Sequence, residues 1–380
     1  MKNQFVILPE FIADSERRRQ LFLFSQLAQD ATGVHASTLA NLCALFRGDV
    51  RLVRKLLRRR VILQDCLTPK SNNTCSLSRT STSVTSDSSF RCEGEHVQSF
   101  GRRGSGPGEL NCPVGCALSV DACYVYVADY GNHRVCVFDA SSGAYRHSFG
   151  SRGRGEEQFS YPAAVSVSDA GHLYVCDCEN HRVQVLNAVT GAFVRLLGTS
   201  VRGSVPGQLE WPSAVVVSRH RVFVCDYARV SVFDESNGAF LHSFGTLGVG
   251  DCQSQFCYNT DITVSAVSGD VYVAERDYSS SSSRVQVFNE HGEFERVSWR
   301  KQTHSCVIRV SSVCLSATDD VYVSDTSNQC VHVFDSSGAY VRPVGVRGSG
   351  SGINPRGVAL SRDGRLFVVD QKYNRVCVYE

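Results

Sequence analysis

The side chains that could support catalysis are few and do not converge. Two cysteine pairs, Cys112-x3-Cys116 and Cys176-x-Cys178, have the spacing of half a zinc site, but no matching second pair follows either one. Six similar apolar segments, each preceding a stretch that ends in an acidic residue, contain no histidine and a single carboxylate, Asp261. A hard metal ion needs several oxygen ligands, which these segments do not supply. We therefore expect no catalytic residue, no metal and no cofactor, and a protein that is not an enzyme.

Other residue types could bind a partner. Arginines recur in glycine-rich segments between the apolar runs, where they could grip phosphate, and tyrosines nearby could stack on bases. Glutamates such as Glu109 and Glu210 share these segments and oppose that charge. We predict a partner-binding surface, with a protein as the main ligand and single-stranded RNA as the alternative. The predicted binding residues are Arg102, Arg103, Arg152, Arg154, Arg202, Arg347, Tyr130, Tyr227 and Tyr373.

Acidic and basic residues also recur five positions apart. The pairs are Asp129 with Arg134, Asp177 with Arg182, and Asp370 with Arg375. A motif that repeats along the chain is more often part of the architecture than an active site. We interpret these residues as buried ion pairs or capping groups that fix a loop.

The elements that would position these residues follow from a repeat. Segments such as YVYVAD, ending at Asp129, and HLYVCD, ending at Asp177, recur six times at intervals of 45 to 50 residues. Each lies among three further short runs, separated by turns rich in Gly, Ser and Asn, and alternation with period two predicts strands. Four short strands per repeat at this spacing indicate a propeller blade, so the predicted fold class is all-β, a six-bladed β-propeller.

The amino-acid sequence of the repeat resembles that of the NHL family. Asn132-His133-Arg134-Val135 and Asn180-His181-Arg182-Val183 match the core of that family's motif, and Asn374-Arg375-Val376 is a near match. The resemblance covers residues 94–380 and implies a six-bladed propeller that binds proteins or single-stranded RNA on its loop face. Many such propellers are joined to a RING zinc domain that acts as a ubiquitin ligase. The cysteines before residue 94 are too few and wrongly spaced for a RING domain, which leaves a ubiquitin-pathway adaptor without its own RING as a further alternative.

Closure of the ring can also be predicted. The sixth repeat ends at Glu380 after three strands, whereas GEHVQSFG at 94–101 copies GAYRHSFG at 143–150. We expect residues 96–100 to supply the missing outer strand of the last blade, because this would hide the strand edges.

The first 93 residues differ from the repeat. Residues 1–67 predict a small basic helical segment, and residues 1–70 hold twelve basic and six acidic residues although the whole chain has a net charge of +2. Thr32-Gly33-Val34 and Gly48-Asp49-Val50 resemble parts of a ubiquitin-associated (UBA) domain, which implies ubiquitin as a partner; a helical cap or a dimerisation segment are the alternatives. Residues 68–93 are a Ser/Thr-rich linker.

Cysteine usage and hydropathy indicate the compartment. The 17 cysteines are an odd number spread along the chain, which favours reduced thiols in the cytoplasm. The basic run at 54–60 leaves the nucleus as an alternative. No apolar segment is long enough to span a membrane, so we expect no membrane partner.

Overall fold

A computed structural model describes residues 94–227, 229–248, 253–256, 258–276, 283–300, 309–345 and 352–380. The predicted helical segment at 1–67, the linker at 68–93 and Arg347 lie outside the described residues.

The described residues form six four-stranded antiparallel sheets. The outer strand β1 (His96–Phe100) comes first in the chain. The first sheet contains β2 (Cys116–Leu118), β3 (Tyr124–Asp129), β4 (Arg134–Asp139) and β5 (Tyr145–Phe149). After the short strands β6 (Ser151–Arg152) and β7 (Gln158–Phe159), the second contains β8 (Pro162–Val167), β9 (His172–Asp177), β10 (Arg182–Asn187) and β11 (Phe193–Leu197). The third contains β12 (Pro212–Ser218), β13 (Arg221–Asp226), β14 (Arg229–Asp234) and β15 (Phe240–Phe244).

The last three sheets follow the short strands β16 (Thr246–Leu247) and β17 (Gln255–Phe256). They contain β18 (Asn259–Val264), β19 (Val271–Arg276), β20 (Ser283–Phe288) and β21 (Phe294–Arg300), then β22 (Val310–Leu315), β23 (Val321–Asp325), β24 (Cys330–Phe334) and β25 (Tyr340–Val344), and finally β26 (Pro355–Leu360), β27 (Leu366–Asp370) and β28 (Arg375–Tyr379). Two single-turn 3₁₀ helices, Tyr130–Asn132 and Cys178–Asn180, follow β3 and β9.

The six sheets are the blades of a closed propeller. The inner strands β2, β8, β12, β18, β22 and β26 are neighbours in that order, and β26 returns to β2. The last blade is completed by β1, which pairs antiparallel with β28 and aligns Phe100 with Val376. The predicted six blades and the predicted closing strand are therefore confirmed.

The second and third strands are buried more completely than their alternating sequence suggests. In β9, every residue from Leu173 to Asp177 is buried. The reason is that each sheet packs on a neighbouring blade on both of its faces, so residues of either parity leave solvent. The core is thus divided among the interfaces between blades rather than gathered in one centre.

Among the described residues, no helix is long and apolar enough to cross a membrane.

The turn between the third and fourth strands is set by an acidic or amide side chain. In the first blade, Asp139 Oδ1 accepts hydrogen bonds from the amides of Ser141 and Ser142, and Gly143 follows with φ of 68°. A side chain at this glycine would collide with Phe100, which belongs to the last blade. The glycine therefore allows both the turn and the close approach of two blades.

The closing strand gives the first prediction. Phe100 is 8% exposed, lies 4.9 Å from the ring of Phe138 and packs with Val376 and Val378. We expect Phe100→Ala to lower the free energy of unfolding by about 3 kcal/mol, because it removes a large side chain that joins the last blade to the first. Val97→Ala, on the same strand but 51% exposed, is the matched control and should change it by less than about 0.5 kcal/mol. Urea denaturation measures both, and equal effects would contradict the assigned role of β1.

Candidate functional site

A buried carboxylate ends the second strand of the first blade and organises the loop above it. Asp129 is fully buried, and its Oδ2 accepts hydrogen bonds from Arg134 Nε and Asn132 Nδ2, each at 2.8 Å. Arg134 Nη2 then donates to the carbonyls of Gly106 and Glu109. The pair thus clamps residues 104–110, the loop that leads into this blade.

The same clamp recurs in the next two blades. Asp177 bonds to Arg182 at 2.8 Å, and Arg182 donates to the carbonyls of Gly155 and Gln158. In the third blade, Arg229 bonds to Asp226 and reaches the carbonyl of Gln208, although this blade has a shorter turn after its second strand.

The other three blades vary the partner of the acid. Glu275 pairs with Arg284 in the fourth blade, and Asp370 pairs with Arg375 at 3.1 Å in the sixth. In the fifth blade, where Cys330 replaces the arginine, His332 Nε2 lies 3.2 Å from Asp325 Oδ2. The three motif pairs predicted from the sequence form ion pairs at equivalent places in the ring.

The clamped loops carry the predicted arginines. Each loop forms a short parallel bridge in which an arginine faces a fully buried anchor: Arg103 with Leu110, Arg152 with Phe159, and Arg202 with Leu209. The anchor points into the interface between blades while the arginine side chain is exposed. The loops therefore display these arginines at the end of the ring where second strands finish and inner strands begin.

The arginines differ in their partners. Arg102 pairs with Glu109 at 3.0 Å, and Arg202 pairs with Glu210 at 2.6 Å. The guanidinium of Arg202 also lies 3.9 Å above the ring of Trp211. Arg103, Arg152 and Arg154 are exposed, and within the described part of the chain their side chains make no hydrogen bond or ion pair.

Four aromatic side chains lie at the same end of the ring. Tyr130 lies 4.8 Å from Tyr161, and Trp211 lies 6.1 Å from Tyr227, measured between ring centroids. These four residues, called the aromatic arc below, follow a second strand or precede an inner strand of blades one to three. Partial burial raises the pKa of Tyr130 to about 12, so its hydroxyl stays neutral. Tyr373, also predicted, lies apart in the sixth blade, 5.1 Å from the guanidinium of Arg375.

Histidines hold two members of the arc in place. His133 Nδ1 accepts a hydrogen bond from the amide of Tyr161 at 3.1 Å, and His181 Nδ1 accepts one from Trp211 at 3.2 Å. Tyr161 and Trp211 have φ of 58° and 50°, a left-handed conformation that is unusual for bulky residues. Each contact spans two blades, so the histidine both joins the blades and offsets a strained backbone.

Sequence reasoning missed Tyr161 and Trp211 as site residues. A signal was present, since each stands immediately before the proline that opens an inner strand, in Tyr161-Pro162 and Trp211-Pro212. The role of the motif histidine was also missed. Its equivalent in the sixth blade is Asn374, whose Oδ1 accepts a hydrogen bond from the amide of Cys112 at 2.7 Å.

The inner strands surround a cavity of about 320 Å³. Asp261 lines it, and its Oδ2 accepts hydrogen bonds from Ser312 Oγ and from the amide of Val313 at 3.0 Å, both in the fifth blade. Burial raises the pKa of Asp261 to about 6. This carboxylate therefore acts as a link between two blades. In the described part of the chain, no cluster of three or more His, Cys, Asp or Glu side chains is arranged to hold a metal ion.

The histidine contacts give a second prediction. We expect His133→Ala to lower the free energy of unfolding by about 2 kcal/mol, because the Tyr161 amide loses its acceptor and alanine is strained at φ of 56°. His133→Asn should lower the free energy of unfolding by less than half as much, since Asn374 accepts the equivalent backbone hydrogen bond in the sixth blade. Urea denaturation at pH 7.5 measures both variants, and an equal loss would contradict the role of the Nδ1 acceptor.

The same histidine has a dependence on pH. Burial, with a smaller effect from Arg152, lowers the pKa of His133 below its usual 6.5. The neutral ring is thus favoured in the folded state, and its contribution is present above pH 6.5 and lost as the pH falls through the folded pKa. The asparagine variant should not show this loss.

Asp261 gives a third prediction. Its pKa is higher in the folded chain, at about 6, than in the unfolded chain, so its contribution to stability is full below about pH 4 and is lost as the pH rises through 6. The free energy of unfolding of Asp261→Asn, relative to that of the parent, should therefore increase by about 2 kcal/mol between pH 4 and pH 8. Asp363→Asn is the control, because hydrogen bonding from Ser361 lowers the pKa of Asp363 and reverses the direction. A parent and Asp261→Asn variant with parallel pH profiles would contradict this account.

Comparison with known proteins supports the fold and the repeat. The NHL repeat model matches residues 159–186, and a 6-bladed beta-propeller model matches residues 301–380. The chain is 42% identical over 80 residues to RING finger protein nhl-1 of Caenorhabditis elegans, a match that covers 21% of this chain and 8% of that protein. It is 35% identical over 97 residues to Protein brain tumor of Drosophila melanogaster, covering 25% of this chain and 9% of that protein.

A solved structure agrees with this result at the level of the fold. The beta-propeller domain of Myceliophteria thermophila Cps50 (Swd1) superposes with a TM-score of 0.51 at 12% identity, over 72% of this chain and 98% of that one. The chain spans less than a tenth of the length of either sequence relative. Together with the six blades and the repeated acid–arginine clamp, these matches show that the chain is an NHL-repeat six-bladed β-propeller protein, related to the NHL domains of nhl-1 and brain tumor.

Proposed function

We propose that this propeller is a non-enzymatic interaction scaffold that binds a segment of a partner protein across the aromatic arc. The observation that carries the proposal is the arc itself, two pairs of aromatic rings in blades one to three that are partly or largely exposed at one end of the propeller. Aromatic side chains supply a large contact area with little loss of side-chain entropy, and they are enriched at protein interfaces.

The charge of the surrounding loops supports a protein ligand over a polyanion. The described loops of blades one to three carry five arginines (Arg102, Arg103, Arg152, Arg154 and Arg202) and five glutamates (Glu109, Glu156, Glu157, Glu179 and Glu210). Their formal charges cancel. A nucleic-acid ligand draws much of its affinity from phosphates that meet a net positive surface, which this part of the face lacks.

Pre-organisation also supports a binding role. The clamps of Asp129 and Asp177 hold the loops, and the histidine contacts hold Tyr161 and Trp211, before any partner arrives. A surface that is already ordered loses little conformational entropy on association. The geometry thus favours recognition by a rigid face.

One observation favours single-stranded RNA as a second candidate. The side chains of Arg103, Arg152 and Arg154 make no hydrogen bond or ion pair within the described residues, and they lie in the loops that flank the tilted pair of rings of Tyr130 and Tyr161. Arginine and aromatic groups side by side are the usual means of binding single strands. The Glu side chains in the same loops weigh against it.

A reducing compartment fits the thiols of the propeller. Cys136, Cys176, Cys225 and Cys377 are free and buried within strands. Burial raises the pKa of Cys136 to about 12, so this thiol remains protonated and unreactive. We propose that the protein works in the cytoplasm. The adaptor role in the ubiquitin pathway depends on residues 1–67 and stays a prediction.

The scaffold proposal gives a fourth prediction. In cells, the tagged double variant Tyr130→Ala with Trp211→Ala should capture at least 10-fold less partner protein than the parent, because an aromatic hot-spot residue at an interface contributes about 2 kcal/mol or more. Tyr124→Ala is the matched control, since Tyr124 is also exposed but begins its strand at the opposite end of the ring. Circular dichroism melting shows whether each variant folds.

UV crosslinking of the same cells separates the two candidates. The scaffold proposal predicts no RNA above background. Recovery of RNA with the parent, and its loss in a variant with Arg103→Glu and Arg152→Glu, would instead place an RNA-binding function on this face.

A further inference from the structure

The two halves of the channel mouth differ in charge. Blades one to three display as many glutamates as arginines, as described above. Blades five and six instead place Arg309, Arg356 and Lys372 at this end of the ring, and these three residues are called the basic crescent below. Arg309 and Lys372 are exposed, and Arg356 lines the channel.

The members of the basic crescent are neighbours through a chain of contacts. Arg356 Nε donates to Gln371 Oε1 at 2.9 Å, and Lys372 follows Gln371 directly. Arg356 Nη1 lies 3.4 Å from Ser311 Oγ, and Ser311 is two residues from Arg309. These contacts place Arg356 between the segments that carry Arg309 and Lys372, where the fifth and sixth blades meet.

The carboxylates of these blades at this end are already engaged. Asp325 is fully buried and accepts hydrogen bonds from Asn328, His332 and the amide of Arg309. Asp370 is fully buried against Arg375 and the amide of Asn354. Asp261 lines the same channel but faces Ser312 and Val313.

Among the described residues, no acidic side chain pairs with Arg309 or Lys372. Neither side chain forms an ion pair there, in contrast to Arg102 and Arg202 in the other half, which pair with Glu109 and Glu210.

We propose that the basic crescent is the docking surface for acidic side chains of the protein segment bound by the aromatic arc. The partner is thus bipartite, with apolar or aromatic residues over blades one to three and Asp or Glu residues over blades five and six. Complementary charge fixes the direction of the bound segment and raises the association rate. This inference rests on the scaffold function proposed above and adds the chemistry of its partner.

Fluorescence anisotropy with a defined probe tests the inference. The probe is a fluorescein-labelled peptide of twelve residues that carries Trp and Pro in one half and four Glu in the other, and its counterpart has Gln in place of each Glu. We expect the full-length chain to bind the acidic probe at least 10-fold more tightly than the Gln counterpart. We also expect Arg309→Glu with Lys372→Glu to remove this preference.

A matched control tests position rather than total charge. Arg362→Glu changes the charge by the same amount per residue at an exposed turn between β26 and β27, at the other end of the ring. It should change the affinity for the acidic probe less than 2-fold. An equal loss in this variant would overturn the inference, because charge at any place would then suffice.

Three further outcomes are decisive. Equal affinity for both peptides, lost only in Trp211→Ala, would show that the basic crescent does not bind acidic side chains. The scaffold function would still stand. Binding of neither peptide would overturn the inference. Tighter binding of a twelve-nucleotide oligouridine, lost in the Arg309→Glu and Lys372→Glu variant, would show that the crescent binds a polynucleotide instead.

Discussion

The buried carboxylate at the end of each second strand is the interaction on which the binding face depends. An ionised side chain removed from water is costly unless it is fully hydrogen-bonded, and Asp129 meets this condition with Arg134, Asn132 and the amide of Asn111. Because Arg134 also bonds the carbonyls of the preceding loop, the loop cannot move without exposing an unpaired charge. Repetition of this arrangement in the first three blades holds their described loops in place as one surface.

The fold was predictable because the chain contains six copies of one strand pattern. Alternating strands, turns at a fixed interval and the copied segment at 94–101 define blades and ring closure without any long-range information. The site was less predictable. The left-handed conformation of Tyr161 and Trp211 depends on a histidine in another blade, and a contact between distant residues leaves no local pattern. Burial of both faces of β9 likewise reflects packing between blades, which a period of two does not reveal.

Irregular blades show which parts of the repeat are essential. In the third blade the turn is shortened and Arg229 still reaches Asp226, whereas in the fifth blade His332 replaces the arginine beside Asp325. The acid is thus kept and its partner varies. Asn374 likewise substitutes for the histidine that accepts a backbone amide. The chain retains the hydrogen-bonding function at each position while changing the residue, and sequence motifs undercount such equivalents.

The pairing of β1 with β28 has a consequence for synthesis on the ribosome. Ser99 and Cys377 are in contact although 278 residues separate them. At ordinary translation rates this interval takes roughly 15–60 s to synthesise. Throughout that time β1 has no partner strand and the first blade has one uncovered face, so the nascent chain presents an unpaired edge and apolar surface. Molecular chaperones that shield such surfaces would therefore act before the ring closes, and the late-made β28 completes a blade whose outer strand was made much earlier.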